Sequence, residues 1–522
     1  MAPKHQRSLI QRAVVTADQM QRIEGLVFDR GMPVPALMEK VAGLMTDWIL
    51  DHYACAAYPR VGVLVGPGHN GGDALVVARE LLFRGYQIVL CCPLDKQKPL
   101  TANHLKFAQS LDIPVHQDVA PLQGCDVVID GLFGFGLERP LEGKLAEIVN
   151  QINDWPNPVV SIDLPSGLDT DTGDVLGTAV KADHSLCLGL WKRAFCQSHA
   201  LAYVGQRHLI DFDIPQSAID AVLSDPPQVQ RVTQESAKRR LPLPRNPDTH
   251  KYRVGHVLIV AGSRQFAGAA ILTGLGARGS GVGMLTLAVP ESLRLSIVGM
   301  LPEALVVGCA ETESGAIADF PKDLDFDRYD AIACGPGLSR GALPVLKTIL
   351  NAPTPLVLDA DGLNLLAELK PLEVLPGRTA PTLLTPHPGE FKRLFPDIPT
   401  SANDAGETAR TAARQSDSIV LLKGACTAVA HPDGRIRYID DSTPALARGG
   451  SGDVLTGLAA GLLTQYSATG TANADLAFDA AFVAAWWHAQ AAKLAASERT
   501  QLGVDGETLA DYLNLALAET LR

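Results

Sequence analysis

Val61-Gly-Val-Leu-Val-Gly-Pro-Gly-His-Asn-Gly-Gly-Asp73 decides the fold of the first half of the chain. A short uncharged run, rich in valine, ends in glycine, as strands buried on both faces of a parallel sheet do. The amphipathic stretch 73–84 then reads as a helix. The glycines between the two let backbone amides come close to an anion at the positive helix end. Outward from this unit the alternation repeats, with strands predicted at 87–92, 126–130, 158–163 and 185–190 and helices at 101–111 and 141–153. The pattern predicts a doubly wound α/β domain.

Between residues 211 and 247 the composition changes. Asp225-Pro-Pro227, a polar stretch through Arg240, and Leu241-Pro-Leu-Pro-Arg-Asn-Pro247 place proline, which lacks an amide donor, where a ladder or helix needs one. Residues 216–247 are predicted as a linker between a first domain, 1–215, and a second, 248–522. The second opens a new alternation, with strands at 256–262, 284–289, 330–334, 355–359, 382–385 and 419–422. Helices are predicted there at 267–279, 343–350, 452–463 and 475–494.

Length and composition agree with two domains, since 522 residues exceed the ~250 to 300 over which one core keeps growing. A hydrophobic share of 47% with 20% charged residues excludes a largely disordered chain. The formal charge of −12 offers no footprint for nucleic acid or for an anionic membrane. Nine cysteines without CxxC spacing read as buried thiols of a reducing compartment, not as zinc ligands. The richest apolar stretch, 476–494, is interrupted by Asp479, His488 and Lys493 and suits a buried helix, not a membrane span. No apolar signal core accompanies Lys4, Arg7 and Arg12, so the cytoplasm is the expected location.

The residues that carry chemistry lie at strand ends. Asp130 closes its strand before Gly131-Leu-Phe-Gly-Phe-Gly-Leu-Glu-Arg-Pro140, and Asp163 closes the next before Leu164-Pro-Ser-Gly-Leu168. Ligands of open parallel sheets bind beyond the carboxyl ends of the strands, so these loops and the glycine loop are expected to share one crevice. Asn70, Asp130 and Ser166 offer hard oxygens suited to an alkali cation; turn capping by Asp130 and helix capping by Ser166 are the plain alternatives.

In the second half Gly449-Gly-Ser-Gly-Asp453 precedes an apolar helix, where small residues expose amides to an anion and the aspartate can face the same place as a base. Gly262-Ser263, Gly268-Ala-Ala270, Gly335-Pro-Gly337, Asp359-Ala-Asp361, Thr385-Pro-His-Pro-Gly-Glu390 and Lys423-Gly-Ala-Cys-Thr427 follow other strands. His387 reads either as a ligand contact or as a turn histidine. Asp359 and Asp361 either position magnesium with phosphate oxygens or cap a helix. Trp486 and Trp487 read as core or subunit contact.

Residues 10–215 resemble the epimerase module of NAD(P)H-hydrate repair enzymes through Leu37-Met-Glu39, the 66–73 loop, Asp130-Gly-Leu-Phe-Gly134 and Asp163-Leu-Pro-Ser-Gly167. The resemblance implies a Rossmann-like three-layer domain and a potassium ion near Asn70, Asp130 and Ser166. It also implies hydrate contacts from His69, Asn70, Gly71, Gly72 and Asp73, from Gly134, Phe135, Gly136, Leu137, Glu138, Arg139 and Pro140, and from Asp163. His69 and Ala74 stand where that family usually has Asn and Gly. Residues 235–522 resemble the NAD(P)H-hydrate dehydratase branch of the ribokinase-like superfamily, toward which His387 points. This implies a ribokinase-like α/β domain with hydrate contacts at Ala269, Gly337, His387 and Asp453 and nucleotide contacts at Lys423, Gly424, Ala425, Cys426, Thr427 and Gly452. Ser339 replaces a usual Gly, Thr443 a common Asn, and Arg448 a small residue.

Both resemblances imply repair of hydrated nicotinamide cofactors, NADHX and NADPHX; a homo-oligomer is the expected assembly. Asp163 is then the acid/base of epimerisation and Asp453 the base for phosphoryl transfer from ADP or ATP with Mg2+ during dehydration of the S form. Fused chains of this kind lean to ADP. The rival expectation is a small-molecule kinase carrying a non-catalytic dinucleotide-binding module; a non-enzymatic scaffold is a third.

Overall fold

In the computed structural model, residues 4–399, 404–470 and 472–522 are described, and the chain divides into two compact units, the first ending at Gln230 and the second beginning at Arg231. After a helix at Lys4–Arg12 and a short strand Val14–Val15 paired with Trp191–Lys192, the first holds helices α1 (Ala17–Asp29) and α2 (Val34–His52), followed by β1 (Arg60–Val65), α3 (His69–Phe83), β2 (Gln87–Cys91), β3 (Val115–His116) and β4 (Val127–Gly131). After these come α4 (Gly143–Asn153), β5 (Val159–Ile162), β6 (His184–Leu188) and β7 (Gln206–Ile210). Seven parallel strands lie in the order β3-β2-β1-β4-β5-β6-β7. Successive residues of a strand face opposite sides. Val61, Val63 and Val65 accordingly join the core under α1 and α2, while Leu64 and Val128 join a second core with Ile148 and Val149 of α4. That makes the expected three-layer α/β domain. The strand order reverses at β1, so a crevice opens beyond β1 and β4.

The second unit contains β8 (His256–Val260), α5 (Ala267–Gly279), β9 (Met284–Pro290), β10 (Leu305–Glu311), β11 (Ile317–Asp319), β12 (Ala331–Cys334), β13 (Leu356–Leu358) and α6 (Ala360–Glu368). It continues with β14 (Thr382–Leu384), α7 (Pro388–Leu394), β15 (Ile419–Leu422), β16 (Thr427–Ala430), β17 (Ile436–Ile439), α8 (Ser451–Ser467), α9 (Ala474–Arg499) and α10 (Gly506–Leu521). The strands run β17-β16-β15-β14-β13-β12-β8-β9-β10-β11, with the short strand Val229–Arg231 beside β17; they are parallel from β15 to β10, and β16, β17 and β11 join antiparallel. Here too both faces are covered, with Val257 and Ile259 in one core and Leu258 and Val260 in the other.

Residues 216–247, expected as bare linker, hold short elements: helix Gln216–Asp220, strand Val229–Arg231, and helix Gln234–Lys238 closed by a capping box between Thr233 and Ser236. Short segments without proline take up local structure between the prolines. Trp486 and Trp487 lie in the core, Trp487 donating its indole N–H to the Leu513 carbonyl at 2.6 Å. All nine cysteines are free, and no helix of the described residues is long and apolar enough to cross a membrane.

Helices α5 and α8 meet backbone to backbone. A Cβ on Gly276 would stand 2.1 Å from the Val454 carbonyl oxygen, and one on Gly457 would stand 1.9 Å from that of Thr273. Gly457→Ala must therefore push the helices apart, and we expect it to destabilise the second unit by about 1–3 kcal/mol. A denaturant midpoint equal to that of the unaltered chain would contradict this close contact.

Candidate active sites

The first site begins with helix α3, which starts at His69, four residues before the expected position, so His69, Asn70 and Asp73 sit on its first turns with Gly71 and Gly72 buried inside. A cavity of about 1020 Å³ lies beyond the strand ends. It is lined by the predicted His69, Asn70, Asp73, Gly134, Phe135, Gly136, Leu137, Glu138 and Asp163. Gly71 and Gly72 do not line it, and Arg139 and Pro140 are exposed away from it.

Asp163 adopts a left-handed backbone, φ +66°, a conformation that aspartate tolerates better than most residues. Its side chain, 4% exposed, accepts the Phe135 amide at 2.8 Å and pairs with the Lys192 ammonium at 2.5 Å. Lys192, fully buried, also donates to the Leu188 carbonyl and lies 5.4 Å from the Phe135 ring centre. Burial alone would pull its pKa down, but Asp163, Cys187 and Glu24 outweigh burial and the net direction is up. Gly134 passes close enough that a Cβ there would meet Asp163 Oδ2 at 2.8 Å and Asn70 Oδ1 at 3.2 Å, so no larger residue fits between the two. Burial also pushes Asp73 well above the usual carboxylate range, and repulsion from Asp163 and Glu24 adds to it.

Asp130 lies under this cavity, fully buried. Its oxygens accept from Ser161 Oγ at 2.8 Å, the Ser166 amide at 2.9 Å, Ser166 Oγ at 2.7 Å and the Leu132 amide at 3.2 Å. Burial raises its pKa against these donors. Ser166 Oγ also accepts the Phe133 amide, and Asn70 Nδ2 is buried without a hydrogen-bond partner. The structure thus brings Asp130 and Ser166 together as a hydrogen-bonded pair. Among the described residues no cluster of His, Cys, Asp and Glu has metal-ligating geometry.

The second site gathers at the carboxyl ends of β13, β14 and β15. Lys423 pairs with Asp359 at 2.7 Å and stands 4.0 Å from Glu390. Asp359 Oδ2 also accepts from Thr456 Oγ1 at 2.6 Å. A Cβ on Gly452 would lie 3.5 Å from Lys423 Nζ, which places the glycine turn beside the lysine. Asp453, in the first turn of α8, is pushed up to about 7 by burial and by repulsion from Asp359, against the pull of Lys423. Gly337 packs on Ala269, where a Cβ would find the Ala269 methyl at 2.9 Å.

His387 caps α7, its Nδ1 accepting the Gly389 amide at 3.0 Å, which leaves Nε2 toward Glu390 at 3.4 Å. Asp361 accepts the Ser339 amide at 2.8 Å, and Ser339, in the usual glycine position, holds φ +61°. Gly424 to Cys426 form the turn before β16, closed by Thr427 Oγ1 to the Gly424 carbonyl; Cys426 is buried.

Sequence reading missed Lys192, Glu24, Thr456 and His488, whose Nε2 lies 2.9 Å from the Ser451 carbonyl under the glycine turn. Lys192 had a usable signal, a lone lysine just past a strand end. The helical Glu24 and His488 had none.

An α/β enzyme with two active sites is the class these strand-end clusters define. Residues 34–194 match the family described as YjeF-related protein N-terminus and residues 257–515 the family described as NAD(P)H-hydrate dehydratase. The bifunctional NAD(P)H-hydrate repair enzyme of a Synechocystis species is 54% identical over 96% of this chain and 94% of its own length. The enzyme of that name in Thermosynechococcus vestitus is 51% identical over 98% of each. Among solved structures, an ADP/ATP-dependent NAD(P)H-hydrate dehydratase from Bacillus subtilis, co-crystallised with ATP and Mg2+, is 32% identical, with a TM-score of 0.47 over 55% of this chain and 97% of its own. The chain belongs to the family of bifunctional NAD(P)H-hydrate repair enzymes.

Proposed function

We propose that the first unit interconverts the R and S hydrates of NADH and NADPH and that the second dehydrates the S form, using ADP or ATP as phosphoryl donor. The observation that carries this is the pairing of two unlike carboxyl sites: Asp163 at a cavity large enough for a nicotinamide nucleotide, and Asp453 beside a glycine turn. A hydrate carries a hydroxyl at C6, and hydroxide leaves poorly at neutral pH. In the second unit, Asp453 takes the hydroxyl proton and the Gly450 to Gly452 amides steady charge on the transferred phosphoryl group. Lys423, held by Asp359, offers its remaining N–H to phosphate oxygens. Release of phosphate from C6, pushed by the ring nitrogen to give C6=N, and loss of a proton from C5 then restore the C5–C6 double bond. Asp359 and Asp361 would supply carboxylates for Mg2+, which would neutralise phosphate charge.

In the first unit Asp163 handles the proton while the C6 hydroxyl leaves and returns on the other face. We further propose potassium beside Asp130, Ser166 and Asn70. The set is oxygen-rich, and Asp130 is a buried carboxylate whose described partners there are neutral. Such an ion supplies the balancing charge that orders the loop.

The test is recovery of absorbance at 340 nm from mixed epimers, with ADP and ATP tried separately and potassium present or exchanged for tetramethylammonium. We expect full recovery with potassium. In the organic cation we expect slowed use of the R form, with the S form unaffected. A stable phosphorylated product instead of reduced cofactor would favour a kinase and overturn the reading.

A further inference from the structure

Removing a hydroxyl from C6 and returning it to the opposite face needs a proton donor for departure and an acceptor for return. Two carboxyl groups in unlike surroundings meet that need. Asp163, tied to Lys192 and to the Phe135 amide, is one. We propose that Glu24 is the other, the proton donor for departure of the C6 hydroxyl; this rests on the reading of the first cavity as the epimerisation site.

Helix α1 presents two faces. Met20, Ile23 and Val27 are buried in the core, whereas Ala17, Gln21, Glu24 and Phe28, at helical spacing, line the cavity. The helix is fixed at its start by a capping box between Thr16 and Gln19 and by the Ala17 amide donating to Asp171 at 2.7 Å. Glu24 is thus a carboxyl on a rigid wall aimed into the substrate space. Among the described residues no hydrogen bond or ion pair ties it down. Lys192, Asp163 and Asp73 are the charged groups that bear on it. His69, Lys98, Asp169, Asp171 and Glu138 line the rest of the cavity, with Asp18 on the same helix. One ammonium cannot neutralise three carboxylates, and Asp163 already occupies it at 2.5 Å. Burial pushes Glu24 up to about 7, against the pull of Lys192, so near neutrality it still holds a proton to give.

The step balances. Glu24 passes its proton to the C6 hydroxyl as the C6–O bond breaks and the ring-nitrogen lone pair forms C6=N, releasing water. Water adds to the other face, the C=N pair returns to nitrogen, and the surplus proton goes to Asp163. Transfer of that proton back to Glu24 through cavity water restores the starting state.

The experiment follows R-to-S interconversion of the NADH hydrate by NMR on the full-length chain without nucleotide, so that dehydration is silent. Glu24→Gln is expected to lower kcat ~10²-fold or more with KM within a few-fold. It should also remove the fall in rate above pH 7 that we expect of the unaltered chain, while S-hydrate dehydration with nucleotide stays unchanged. Glu24→Asp keeps a donor and should retain at least tenfold more rate than Glu24→Gln. Equal losses in both variants, a loss confined to KM, or the alkaline fall passing to Asp73→Asn instead would each overturn the assignment. Failure of the unaltered chain to interconvert the epimers would instead sink the reading of the cavity itself.

Discussion

Asp453→Asn is expected to slow dehydration of the S hydrate by ~10² to 10⁴-fold, the usual worth of a positioned base, while nucleotide affinity stays within a few-fold. The separation follows from the site. The glycine amides and Lys423, which we propose meet the phosphates, make no hydrogen bond to the Asp453 side chain, and Lys423 is held chiefly by its pair with Asp359, Asp453 adding a weaker attraction. Asparagine keeps the size and place of the side chain in the first turn of α8, so packing is preserved. A base must be ionised, and this carboxyl is raised to about 7, so the unaltered rate should climb as pH rises through neutrality and level off above it. Absorbance at 340 nm and calorimetric titration with ADP check both halves. A variant that turns over at near the unaltered rate would remove Asp453 from the chemistry.

Asp163→Asn should leave repair of the S hydrate untouched while repair of the R hydrate drops to the spontaneous epimerisation rate. Asparagine tolerates the left-handed backbone at this position, so local geometry survives. The substitution leaves Lys192 buried without its partner, a loss that can reach ~3–5 kcal/mol when nothing takes the partner's place. Glu24 is within range to take over part of the counter-charge, so the first unit should fold with a lowered thermal midpoint. R hydrate repaired at undiminished rate would exclude Asp163, and joint collapse of both activities would argue for a single shared site.

The strands were legible because parallel strands buried on both faces leave uninterrupted apolar runs, and 61–66 and 419–422 each name their strand almost to the residue. Marginal strands were not. β3 has two residues and β11 three, and β16 and β17, an antiparallel hairpin, four each, all too few for a period to show. Strand ends also marked Asp130, Asp163 and Lys423, since short loops beyond a buried sheet leave polar residues few other places to be, while Asp453 was marked by the glycine turn at the start of its helix. Glu24 could not be read in this way. Whether a helical glutamate faces water or a cavity depends on how its helix lies against the sheet, and no local pattern in 17–29 records that.

The bare backbone seam between α5 and α8 ties the turn that carries Asp453 to the helix that carries Ala269. With Gly276 and Gly457 interlocked, backbone meets backbone, and neither helix can slide along the other without a clash. The turn that carries Asp453 and the helix that carries Ala269, proposed to face the phosphoryl group and the hydrate, therefore behave as a single casting. Divergence toward a different acceptor would have to reshape the loops around that block, because substitution inside the seam breaks the block before it alters specificity.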